Sequence, residues 1–106
     1  MPNFVFTYRQ SPSYDRTPES TAAWLSWFEG MTGHVADIGQ PAAETASVGN
    51  CGPGTRLGGY SLISAADLDE ALALARGCPN LTRDGGVEVA QLTEVPAAAR
   101  TAGQAG

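Results

Sequence analysis

The chain has no lysine. All six of its basic residues are arginine, set against eleven acidic residues for a formal net charge of −5. The arginines are scattered, so phosphate backbones and anionic lipid are repelled rather than gathered. This excludes nucleic acid and membrane surfaces as expected partners. Cysteine is almost missing too. Cys51 and Cys78 are too few and too far apart for a CxxC redox motif or a metal-ligand cluster. No metal and no cofactor are expected, and idle thiols suit a reducing cytosol. No segment approaches the ~20 apolar residues of a membrane span. The stretch from Met1 to Arg9 carries no basic leader followed by a long apolar run, so no secretory signal is read and a cytoplasmic location is expected.

What is present reads as one small globular domain. At 106 residues and 42% hydrophobic content, the chain can bury roughly 65% of its unfolded surface. Thirteen glycines, abundant alanine and arginine without lysine suggest a GC-rich bacterial genome.

Phe4-Val5-Phe6-Thr7-Tyr8 is aromatic and β-branched, a strand with Phe4, Phe6 and Tyr8 on one face and Val5 and Thr7 on the other. Thr17-Pro18-Glu19 starts a helix, with Thr17 as N-cap and Pro18 in the first turn. Trp24, Phe28 and Met31 then recur at helical spacing as a buried stripe, flanked by Leu25 and Trp27. Ser20, Ser26 and Glu29 fall on the wet side, and Gly33 suits the C-terminus. His34 to Gly39 is a second strand closed by Pro41, and Glu44 to Val48 a short edge strand.

Gly49, Gly52 and Gly54 mark a tight turn. They do not make a phosphate loop, since no Lys-Ser/Thr pair follows and no helix opens behind them. Leu57 to Ile63 is the next strand. Ser64-Ala65-Ala66-Asp67 resembles a capping box for a second helix, with Asp69 and Glu70 in its acidic first turn. Leu68, Ala71, Leu72 and Ala75 form that helix's buried stripe, Gly77 its left-handed cap, and Pro79 its stop. Val87 to Leu92 is the closing strand. Residues 1–95 form the domain and 96–106 a flexible tail without periodicity.

The order β-α-β-(edge)-β-α-β gives an α+β fold: a ferredoxin-like βαββαβ sheet with both helices on one face. Apolar residues on both faces of the first strand imply that the second sheet face is covered as well. Another copy of the chain is the economical cover, so a homodimer is expected.

The stretch Leu57-Gly58-Gly59-Tyr60-Ser61-Leu62-Ile63, followed by Ala66 to Ala75 and then Cys78-Pro79, resembles the YCII-related (DGPF-domain) family. Val87-Glu88-Val89 fits that family's closing strand, and Gly39-Gln40-Pro41 sits where its G-x-P turn falls. The similarity covers roughly residues 3–94 and is strongest over 57–92. It implies a dimeric α+β barrel around a central cavity, with a His/Asp acid–base pair in some members. The chain departs from the family in three places. Asn50-Cys51-Gly52-Pro53-Gly54 lacks the Asp and Phe of the DGPF tetrapeptide, the first helix holds no His, and Ala90 stands where a basic residue often follows the closing strand.

Candidate chemistry rests on few side chains. His34 is the only histidine, with an ordinary pKa near ~6.5 that suits proton transfer. Asp37 follows three residues on. In an extended strand the two point to opposite faces, so a direct pair needs a bulge, a His34 still on the helix, or contact across subunits. Asp37 inside an apolar cavity could act as acid or base by itself; near the strand end it could equally pair with an arginine or water. Tyr8, Arg9 and Tyr60 are candidate substrate-binding groups, able to hold an oxyanion, although tyrosines of this kind more often pack with a wet tip. Two functions follow. One is a small enzyme doing acid–base chemistry on a small organic molecule through His34 and Asp37. The other is a non-catalytic small-ligand or protein-interaction module, which the missing DGPF tetrapeptide and helix His favour.

Overall fold

The computed structural model describes residues 1–96, so nearly all of the tail expected over 96–106 lies outside the described residues. The elements run β1 (Asn3–Gln10), α1 (Pro18–Gly30), β2 (Val35–Asp37), β3 (Arg56–Ser64), α2 (Leu68–Ala75), a single 3-10 turn (Pro79–Thr82) and β4 (Gly86–Gln91). The four strands form one antiparallel sheet in the order β2-β3-β1-β4. This is the ferredoxin-like βαββαβ arrangement.

β1 is one of the two inner strands, and its alternation is the cleanest in the chain. Phe4 and Phe6 are fully buried and Tyr8 nearly so. With Ile63 of β3 and Met31, Ala71 and Ala75 they form the core beneath the helices. Full burial of each large apolar side chain contributes about 1.5–3 kcal/mol. The reverse face is mixed. Val5 pairs with Leu62 and Ala90, Thr7 with Tyr60 and Glu88, and Arg9 with Leu57 and Gly86. Apolar and polar residues alternate there, where the sequence suggested a mainly apolar surface.

α1 begins at the expected cap. Ser20 N donates to Thr17 Oγ1 (3.1 Å), and Thr17 N donates back to Ser20 Oγ (2.9 Å). Closing this box takes Ser20 off the wet side and buries it. The helix ends at Gly30 rather than Gly33, which frees Met31 to turn into the core.

α2 begins three residues later than a Ser64 cap requires. Ser64 belongs to β3, and its N–H donates to His34 O (2.6 Å). Asp67 caps instead, its Oδ1 accepting from Glu70 N (2.8 Å). Ala71 and Ala75 are buried as expected, but Leu68, now the first helical residue, is exposed. Gly77 does not adopt a left-handed conformation. Its glycine is explained by space: a Cβ there would lie 3.0 Å from the Trp27 ring, whose indole N–H donates to Leu74 O (3.0 Å) and ties α1 to α2.

The strand expected over residues 34–39 contracts to three residues. No strand forms at Glu44 to Val48. A bulge follows Val35, and Pro41 makes one isolated bridge to Gly59 before the chain leaves the sheet. Proline has no N–H to continue a ladder.

Candidate ligand-binding cleft

Where residues 38–41 fold back over β3, two glycines set the geometry. Gly39 has φ +74°, and a Cβ there would collide with the carbonyl of Tyr60 at 1.8 Å. Gly59 has φ +145°, and its Cβ would stand 2.7 Å from Gln40 O. Only residues without a side chain allow so close an approach. Tyr60 N then donates to Gln40 O (3.3 Å) and Ala42 N to Gly58 O (2.9 Å), holding the segment down.

Between this segment, the end of β1 and α1 lies a cleft of about 320 Å³. That is within the usual range for small-molecule sites. Trp24, Leu25 and Phe28 of α1 form an apolar wall, Ile38 to Pro41 the opposite lip, and Tyr8 a floor group. The Trp24 ring meets Tyr8 edge-on at 4.7 Å between centroids and lies 6.0 Å from Phe28.

Two hydroxyl groups are oriented by their partners. Tyr8 Oη donates to Ser61 Oγ (2.7 Å), which donates to Ile38 O (2.6 Å). Burial pushes the Tyr8 phenol well above the usual range, an effect only partly offset by Ser61. The phenol therefore stays protonated, with its proton committed to Ser61 and its lone pairs left as acceptors. Tyr14 is arranged the other way. Its hydroxyl accepts from Trp24 Nε1 (3.1 Å), which leaves its own proton free to donate.

Of the residues singled out from sequence, Tyr8 and Tyr60 line the cleft, and Arg9, His34 and Asp37 do not. Arg9 Nε donates to Thr55 Oγ1 (3.2 Å), and its terminal nitrogen donates to Thr55 O (2.9 Å) and Cys51 O (3.5 Å), beside a separate surface depression. His34 Nδ1 lies 2.8 Å from Ser64 O and 3.9 Å from Glu70 Oε1, near the start of α2. Asp37 is exposed and accepts from Gly39 N (2.9 Å), stabilising its own turn. Tyr14, Arg16, Trp24 and Phe28 are cleft residues that the sequence did not reveal as such. The aromatic pair could have been suspected from its excess over what two short helices need for a core. Nothing local marks Tyr14 or Arg16.

Among the described residues lining the cleft there is no carboxylate, imidazole or thiol. Such a site can stack and orient a flat molecule and hydrogen-bond its oxygens. Among the described residues, no three His, Cys, Asp or Glu side chains are placed to hold a metal ion, and no helix is long and apolar enough to cross a membrane.

No protein-family model and no curated protein matches the sequence. A solved structure does. The chain shares its fold with a dehydrochlorinase. That protein is 5-chloro-2-hydroxyhydroquinone dehydrochlorinase (TftG) from Burkholderia phenoliruptrix, in complex with 2,5-dihydroxybenzoquinone. The TM-score is 0.63 at 17% sequence identity, over 88% of this chain and 95% of that one. At that identity the likeness establishes architecture alone.

Proposed function

We propose that the chain binds a small, flat organic molecule in the cleft against α1. The observation that carries this is the wall of Trp24, Leu25 and Phe28 facing the 38–41 lip, with no carboxylate among the described lining residues. Rings stack on such a wall, and Tyr8 and Tyr14 offer one acceptor and one donor to ring oxygens. The ligand of the structural relative, 2,5-dihydroxybenzoquinone, is a molecule of this shape and a reasonable first probe. Calorimetric titration with it should give saturable one-to-one binding. Thr21→Phe puts a ring into the cleft from an exposed position on α1 and should abolish the signal while leaving the circular dichroism unchanged. Equal binding by both proteins would reject the site.

A second reading, proton-transfer catalysis by His34 and Asp37, is favoured by one observation. The Ser64 carbonyl 2.8 Å from His34 Nδ1 can only accept, so in the neutral ring Nδ1 carries the proton and Nε2 the lone pair a base would use. Once any turnover is found, unchanged rates in both His34→Ala and Asp37→Asn would discard it. Membership of the YCII-related family, a homodimer closing the reverse sheet face into a barrel, and a cytoplasmic, bacterial setting belong to the same proposal. The family rests on the sequence features of residues 57–92, the homodimer on the fold and on the apolar residues on both faces of β1, and the setting on the composition.

A further inference from the structure

The chain is acidic, yet the cleft is not. Among its described lining residues the only formally charged one is Arg16. No carboxylate pairs with Arg16 among the described residues, whereas Arg9 is held by Thr55 and Cys51. A second guanidinium stands close by, with Arg83 placed over the Tyr14 ring at 6.0 Å. The Tyr14 hydroxyl accepts from the Trp24 indole and retains a proton to give. The 11–17 loop thus brings to the cleft a free cation and, bonded to Trp24 of the aromatic wall, a hydroxyl with a proton to donate. This is the arrangement that receives an anionic oxygen.

Resting on the cleft reading above, we propose that the ligand is a flat ring bearing an anionic oxygen group, a carboxylate or an ionised phenol, and that Arg16 selects it over its neutral analogue. The ring lies against Trp24 and Phe28, and the charged oxygen lies toward Arg16 and Tyr14. Tyr8 cannot take this role, because its proton is already given to Ser61.

The test compares two probes of nearly equal shape, 4-hydroxybenzoate and 4-hydroxybenzamide, by titration against the wild-type chain and Arg16→Gln. Arg16 is exposed, so solvent screens the interaction, and the expected preference for the carboxylate is about three- to tenfold. That preference should shrink as salt rises. It should vanish in Arg16→Gln through weaker binding of the carboxylate, the amide's Kd moving less than about twofold. If both probes bind equally to the wild type, or the preference survives Arg16→Gln, the charge selection is wrong while the cleft stands. If neither probe binds, the cleft and the selection fall together.

Discussion

Removing the hydroxyl of Tyr8 tests the relay beneath the cleft more sharply than any surface change. In Tyr8→Phe the ring keeps its edge-on contact with Trp24, and only the 2.7 Å bond to Ser61 is lost. Ser61 still donates to Ile38 O, so the cost is one neutral buried hydrogen bond, about 1 kcal/mol. For a domain of this size, that lowers Tm by roughly 4–8 °C. Ser61→Ala costs more, about 2 kcal/mol, since it strands the buried Tyr8 hydroxyl and removes the donor to Ile38 O. Once Ser61 is gone, the Tyr8 hydroxyl has no bond left to lose. The double variant is therefore expected to lose about 1 kcal/mol less than the sum of the singles. Urea unfolding of all four proteins measures this directly. A coupling within about 0.3 kcal/mol of zero would refute the relay and, with it, the claim that Tyr8 offers only acceptor capacity.

Gly39→Ala should open the cleft and destabilise the fold together, because a Cβ at φ +74° also meets the Tyr60 carbonyl. A loss of at least about 1–2 kcal/mol is expected from the conformation alone, with weakened ligand binding; unchanged stability by thermal melt would contradict the close approach. The two thiols should separate cleanly: exposed Cys51 reacts with a chromogenic disulfide in the native state, while buried Cys78 reacts only after denaturation. Burial pushes the Cys78 thiol up to about 11, with a backbone hydrogen bond from Asn80 partly opposing. The neutral thiol is the form the fold prefers, so its contribution is intact below the unfolded pKa near ~8.5–9 and is lost as pH rises through about 11. Stability should therefore fall between pH 9 and 10 in the wild type and stay flatter in Cys78→Ala; parallel curves would contradict this.

Much of the architecture was legible because it is written in short-range periodicity. Phe4, Phe6 and Tyr8 name the core face of β1, and Thr17-Pro18 names the start of α1. Two misplacements share a cause: a local pattern was overruled by a partner distant in sequence. Ser64 looks like a cap three residues before Asp67, but its backbone is claimed by His34, so the helix starts later. Gly77 looks like a left-handed cap, yet it is the Trp27 ring, brought from the other helix, that crowds the space a Cβ would take there. The cleft was the least legible feature. Its lip exists because Gly39 and Gly59 let two backbone segments nearly touch, and its charged end lies in a loop with no periodicity at all. His34 and Asp37 drew attention through their chemistry, while the geometry assembled Tyr8, Tyr14, Arg16 and Trp24.

The two indole N–H groups provide an internal comparison for the central claim. Trp24 lines the cleft and donates to Tyr14, whereas Trp27 stacks on Phe6 and donates to Leu74 O. In a ¹⁵N-correlated spectrum titrated with 4-hydroxybenzoate, the Trp24 indole resonance should move saturably while that of Trp27 stays in place. A ligand that shifts neither indole, or shifts Val5 and Leu62 on the reverse face of the sheet instead, would show that small molecules are held elsewhere.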